Sequence, residues 1–230
     1  MIRHTDEERV RVVTIDRPER RNALRPDDLD DLVAAVHDAD APVVYVHGAG
    51  DAFCAGADFD EVTSAADPHE FARHGQRSLN ALAEADPVVV AGIDGAARGG
   101  GVELALACDM RIATPDATLG EPGVRFGLFG AWGGTIRLPR TVSAADAADI
   151  ALSGRSVDAE EALRMGLVSR VVDDPRDVAE EVAGNKADAL AVVKERLWDR
   201  SDDGERERAE AAAFDELVGK YADDIAAGRE

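Results

Sequence analysis

The segment VAGIDGAARGGGVELALACD, Val90 to Asp109, decides the fold. It opens inside an apolar run, PVVVAGI, of the kind a strand shows when a parallel sheet buries it on both faces. Gly99, Gly100 and Gly101 follow and lead into Val102–Ala107, an apolar helical stretch with one carboxylate, Glu103. A helix beginning near Gly100 or Gly101 offers unpaired N–H groups and the positive end of its dipole, and Glu103 stands in its first turn. Two readings are open on spacing alone. The glycines permit close helix–sheet packing beside an ordinary N-terminal acid, or they bare a backbone donor beside a reactive one. A second glycine segment, HGAGDAFCAGADFDE (His47–Glu61), also follows a strand-like run and presents Ala55, Gly56, Ala57 and Asp58. One donor from each segment, converging on a single oxygen, would form an oxyanion hole.

Outward from these segments the chain alternates strand and helix signals. RVRVVTIDRP reads as a strand ending at Pro18, and a helix begins at Pro26 with Leu29, Leu32, Val33 and Val36 on one face. Residues 68–86 read as a second helix and MRIAT (Met110–Thr114) as a short strand. LGEPGVRFGLFGAWGG (Leu119–Gly134) is loop-like, because its glycines punctuate any regular element. Beyond it the pattern predicts helices over 143–154 and Ser156–Met165, a strand in LVSRVV (Leu167–Val172), and helix from Val178 onward, interrupted near Asp202–Gly204. No fixed-period repeat is present. The class is α/β, with a core over 1–177 and a helical region over 178–230; a doubly wound sheet fits this coarse pattern too.

Composition narrows the functional classes. The chain of 230 residues carries 26 basic and 47 acidic side chains, a formal charge of -21, and its only lysines are Lys186, Lys194 and Lys220. Acids spread along the whole chain repel one another at low salt, which points to a high-salt cytoplasm and a halophilic source. No basic patch with interleaved aromatics suits nucleic acid. No secretory leader and no membrane-spanning apolar run is evident, so the cytoplasm is the expected compartment. Cys54 and Cys108 lack metal-ligand or disulfide-framework spacing and read as packing residues. The dinucleotide fingerprint, the phosphate-loop lysine, HExxH and GxSxG are all missing, leaving nucleotide, metal and serine-nucleophile chemistry unsupported.

Taken in order, RPERRNAL, FCAGADFDE, VAGIDGAARGGGVELALACDMRIATPDATLGEPG, GLFGAWGGTIRLPR and, more weakly, GRSVDAEEALRMGLVSRVV resemble the enoyl-CoA hydratase/isomerase, or crotonase, family over most of residues 10–172. The resemblance implies a repeated β-β-α core with a C-terminal helical region that takes part in oligomerisation, as a homotrimer or a dimer of trimers. It implies an acyl-CoA substrate, with coenzyme A as the thioester carrier and no catalytic cofactor or metal. The oxyanion donors fall on the backbone N–H groups of Ala57 and Gly100. The stretch Ala55, Gly56, Ala57, Asp58 and Phe59 borders the coenzyme's adenine, while Arg21 lies where a basic residue helps with its phosphates and Ala23 adjoins that segment.

Of the two glutamates a hydratase of this family uses, the first falls on Glu103. The second falls on Gly123, which has no side chain to carry a proton. Glu121, two residues earlier, takes its place if the loop is shaped differently; otherwise a one-acid isomerase, decarboxylase or hydrolase, or a weakened acyl-CoA-binding protein, is the alternative. Further departures are Arg98 at an apolar position, Gly130 for a proline, and Trp132. With Phe126 and Phe129, Trp132 narrows an acyl pocket or simply packs. Gly228 stands in place of a pocket phenylalanine, implying a more open pocket or one completed by a neighbouring subunit.

Overall fold

A computed structural model describes residues 1–228. Strands β1 (Ile2–Glu7) and β2 (Val10–Ile15) pair antiparallel, Ile2 opposite Ile15. The exposed, charged β1 is an element that the sequence pattern does not announce, and its charges suit an edge strand. Helix α1 (Pro26–His37) then returns the chain to β3 (Val43–Gly48), which joins β2 in parallel. Pro26 starts α1, the Asp28 carboxylate accepts the Arg25 backbone N–H, and Leu29, Leu32 and Val36 go inward. Burying each such side chain stabilises the fold by about 1.5–3 kcal/mol.

A short helix α2 (Phe59–Ser64), capped by the Asp58 carboxylate, precedes α3 (Pro68–Ala83). Strands β4 (Val88–Ile93) and β6 (Met110–Ala113) extend the parallel sheet, with β5 (Ala96–Arg98) and α4 (Gly100–Ala107) between them. Strand β5 leaves that sheet to pair with β7 (Thr118–Gly120). Then come α5 (Gly134–Thr141), α6 (Ala144–Ser153), β8 (Ser156–Asp158), α7 (Ala159–Met165), β9 (Arg170–Val171), α8 (Pro175–Ala183), α9 (Ala187–Trp198) and α10 (Asp203–Ala227).

Strand order in the larger sheet is β1-β2-β3-β4-β6-β9 and in the smaller β5-β7-β8. The large sheet grows in one direction from β2, without the reversal of order that makes a doubly wound switch point. The α/β core is therefore not doubly wound. Alternation along β4 explains its apolar run: Val89, Ala91 and Ile93 face the main core with α1, α3 and α4, while Val88 and Val90 face Val178, Ala179 and Ala183 of α8.

Three boundaries differ from the sequence pattern. Ser156–Asp158 is not the start of a helix but a strand antiparallel to β7, and the Asp158 carboxylate, accepting the Glu161 N–H, delays the helix to Ala159. In LVSRVV the ladder is confined to Arg170–Val171, since Leu167 and Val168 are still closing α7 onto Ala162. The C-terminal helical stretch begins at Pro175, ahead of Val178.

Helix α9 is tied to the core through a buried polar cluster. Lys194 Nζ donates to Pro87 O at 2.6 Å and pairs with Asp109 at 2.8 Å, and that carboxylate also accepts Val89 N–H and Trp198 Nε1–H. Each buried polar atom named here is partnered, which is what makes its burial tolerable. The cluster grips the start of β4 and the end of α4, so it holds from behind the helix that carries Glu103.

Candidate active site

Helix α4 is buried along its whole length, and its N-terminus opens into a cavity of about 200 Å³. The cavity lies between α4, α3, the 55–62 segment and the loop 121–132. Cys54 pairs with Ala97 as an isolated parallel bridge, and this contact presses the two glycine segments together. Gly56 has φ 93, and a Cβ on it would stand 2.8 Å from Gly100 N; a Cβ on Gly100 would stand 3.1 Å from Ala57 N. Only glycine meets both the backbone conformation at 56 and that approach. Among the described residues, neither the Ala57 nor the Gly100 N–H donates to another protein group, and both residues line the cavity. The glycines thus serve both purposes that spacing left open: tight packing and two free donors side by side.

Glu103 is 2% exposed, and its Oε1 accepts the Gly134 N–H at 2.6 Å. Because Gly134 is the first residue of α5, Glu103 sits between the N-terminal ends of two helices. Burial nonetheless dominates, pushing its carboxyl up to about 7.

Gly123 lies in a 3-10 turn, Pro122–Phe126, whose flank is filled by the backbone of the same loop. A Cβ there would meet Phe129 Cα at 3.0 Å and Leu128 C at 3.1 Å. Glu121 precedes the turn and aims inward: it is 6% exposed, lines the cavity, and its Oε1 has no hydrogen-bond partner. A Cβ on Gly130 would lie 3.1 Å from Glu103 Oε1 and 3.1 Å from Glu121 Oε2. The two carboxyl groups therefore flank the same glycine. Burial and the neighbouring Glu103 push the Glu121 carboxyl up to about 8. Two acids in one dry site share protons rather than ionise independently, Glu121 holding its proton to higher pH.

The other expected positions are scattered. Ala55 and Phe59 line the cavity, Phe59 being 55% exposed and edge-on to Phe126 with ring centres 5.3 Å apart. Arg21 is exposed, Ala23 is buried with its carbonyl near Arg17 Nη1, and the Asp58 carboxylate is engaged by Arg17 at 2.6 Å and by the Asp60 N–H. Asp58 thus serves as a helix cap and ion-pair partner; its side chain is not turned to the cavity. Arg98 is half-buried, donating to Thr118 O and Thr118 Oγ1. The aromatic cluster divides: Trp132 is buried at 3%, whereas Phe126 and Phe129 are 61% and 65% exposed at the mouth. The contact between Gly130 and both acids escapes sequence reading. Its one trace is the run of small residues around Trp132, which the pattern explains equally well as loop.

Comparison with known proteins identifies the family. The family model for enoyl-CoA hydratase/isomerase matches residues 5–222. A crotonyl-CoA hydratase of Syntrophomonas wolfei is 39% identical over 183 residues, 76% of this chain and 70% of that protein. A short-chain-enoyl-CoA hydratase of Clostridium acetobutylicum is 33% identical over 204 residues, 83% of this chain and 78% of that protein. The 1.8 Å crystal structure of an enoyl-CoA hydratase from Bacillus anthracis superimposes with a TM-score of 0.87 at 28% identity, covering 95% of this chain and 91% of that one. The chain belongs to the enoyl-CoA hydratase/isomerase family. It is an acyl-CoA-processing enzyme of the enoyl-CoA hydratase type.

Proposed function

We propose that the enzyme adds water across the double bond of a 2-enoyl-CoA thioester, using Glu103 and Glu121 as its acid–base pair. The observation that carries this assignment is the meeting of the two carboxyl groups at Gly130. The thioester oxygen would lie between the Ala57 and Gly100 N–H groups, which stabilise the charge it gains as the enolate forms. Glu103, whose ionised form the Gly134 N–H favours, takes a proton from water as its oxygen bonds to the β-carbon. Glu121, protonated at neutral pH, gives its proton to the α-carbon as the enolate collapses. The product has gained one water, and the proton taken by Glu103 returns to Glu121 through solvent. Gly123 is then no defect, because the second acid enters from two residues earlier in the loop.

Around the site, Arg21 and the 55–59 backbone face the coenzyme end, with no metal in the chemistry. The C-terminal helices α8 to α10 are the oligomerisation element in this proposal, as a trimer or dimer of trimers, supported by exposed Leu197, Trp198, Phe214 and Ile225 on α9 and α10. Burying such a face against a second copy would satisfy it. The charge of -21 fits work in a high-salt cytoplasm. Among the described residues no helix is long and apolar enough to cross a membrane.

The test is product mass after incubation in molar salt with 2-enoyl, 3-enoyl and malonyl thioesters. Gain of water from the 2-enoyl substrate, and a fall in kcat on the order of 10²–10⁴ in Glu121→Gln, are expected. Undiminished turnover in Glu121→Gln would sink the role of Glu121. Loss of carbon dioxide or release of free coenzyme A, without hydration, would move the enzyme to a one-acid reaction.

A further inference from the structure

Trp132 occupies a seat that the rest of the chain is shaped to provide. Gly75 stands inside α3, where glycine costs about 1 kcal/mol relative to alanine. A Cβ at that position would lie 2.2 Å from Trp132 Cδ1 and Nε1, so the helix is notched where the indole enters. On the opposite side, a Cβ at Gly100 would lie 2.6 Å from Trp132 Cζ3. The indole thus spans from the oxyanion donor on α4 to the middle of α3. Phe71 adds a ring at 6.1 Å, Gln76 Nε2 donates to Ala131 O at 2.8 Å, and Arg137 Nη1 donates to Trp132 O at 3.1 Å. Both hydrogen bonds fix the loop that carries the tryptophan.

Resting on the hydratase assignment above, we propose that Trp132, seated in the Gly75 notch, is the end wall of the acyl pocket and restricts the enzyme to short acyl chains. Trp132 lines the cavity together with Gly100 and both glutamates, so a chain running past the reacting carbons meets the indole. The indole faces the same cavity as Glu103 and Glu121, so it stands close beyond the reacting carbons. Phe126 and Phe129, exposed at the mouth, leave the other end open.

Two measurements in molar salt test the wall. The first is calorimetric binding of saturated butyryl-CoA and decanoyl-CoA, which needs no turnover. The wild-type enzyme should prefer butyryl-CoA by about tenfold or more, and Trp132→Ala and Trp132→Leu should reduce or reverse that preference. The second is kcat/KM for 2-enoyl thioesters of four to ten carbons, where the ten-to-four ratio should rise by about tenfold in both variants. Equal binding of the two acyl-CoAs by the wild type overturns the proposal. So does an unchanged ratio in a variant whose circular dichroism and melting are native-like. If butyryl-CoA is preferred but no 2-enoyl substrate is hydrated, the hydratase assignment falls and the wall stands; if neither acyl-CoA binds, both fall.

Discussion

The two sides of the cavity are built in contrasting ways. On one side α4 is buried from Gly100 to Ala107, held by Cys54 at its start and by the Lys194–Asp109 cluster at its end. On the other side the loop 121–132 exposes Phe126, Leu128 and Phe129 and buries only a few chosen groups, among them Glu121 and Trp132. Glu103 belongs to the rigid side and is oriented by an amide. Glu121 belongs to the looser side and keeps an unpaired oxygen. The lesson is that a packed helix preserves the place of its acid, whereas a loop can deliver an acid from a shifted position if a glycine such as Gly130 leaves room.

The comparison breaks most sharply at Glu103. Glu103→Gln should lower kcat by on the order of 10²–10⁴ with little change in melting temperature, measured by steady-state kinetics beside a thermal melt. A small loss there would make the rigid side a scaffold only.

Next comes the attempt to return an acid to its expected position. Gly123→Glu, alone or with Glu121→Gln, should fail to rescue activity and should destabilise by about 1–3 kcal/mol, since its Cβ meets the Leu128–Phe129 backbone. Recovery of activity in the double variant would show that the loop yields more readily than its packing indicates.

A smaller effect concerns pH. Burial, with Glu103 adding to it, raises the Glu121 carboxyl from 4.5 to about 8, so between those values the folded chain keeps a proton that the unfolded chain has lost. The stability this group contributes is full below pH 4.5 and is lost as pH rises through about 8. Glu121→Gln should therefore gain on the wild type as pH rises, by on the order of 1–3 kcal/mol at alkaline pH, in denaturant titrations at several pH values. A gain that is the same at acid and alkaline pH would contradict the buried, proton-holding state.

The smallest effect lies at the mouth. Phe126→Ala removes the edge-on contact with Phe59 and should change stability by less than about 1 kcal/mol while raising KM a few-fold. A larger stability loss would mean that the mouth is packed as firmly as the helix side.

Legibility in the sequence follows the same divide. The strand ending at Ile93, the helix carrying Glu103 and the two glycine segments could be read because each rests on local periodicity or on glycine placement, whereas the choice of Ala57 and Gly100 as donors is what the family resemblance implies. Ser156–Asp158 runs on into the helical pattern of the residues after it, because a strand of three residues has no periodicity of its own and exists only through β7. Asp58 could be placed beside the cavity, but its engagement by Arg17, 41 positions away, depends on a contact that no local pattern records.

By itself, then, the sequence determined the α/β class and the placing of Glu103 in the first turn of a helix entered through glycines, which follow from residue type and short-range spacing, while the donors at Ala57 and Gly100 are what the family resemblance implies. Only the tertiary structure decided that Glu121 meets Glu103 across Gly130, that the place of Gly123 is filled by backbone, and that Trp132 fits a notch at Gly75. These are distances between segments remote in the chain, and they are set by how the loop packs against α3 and α4, not by any property of the loop's own residues.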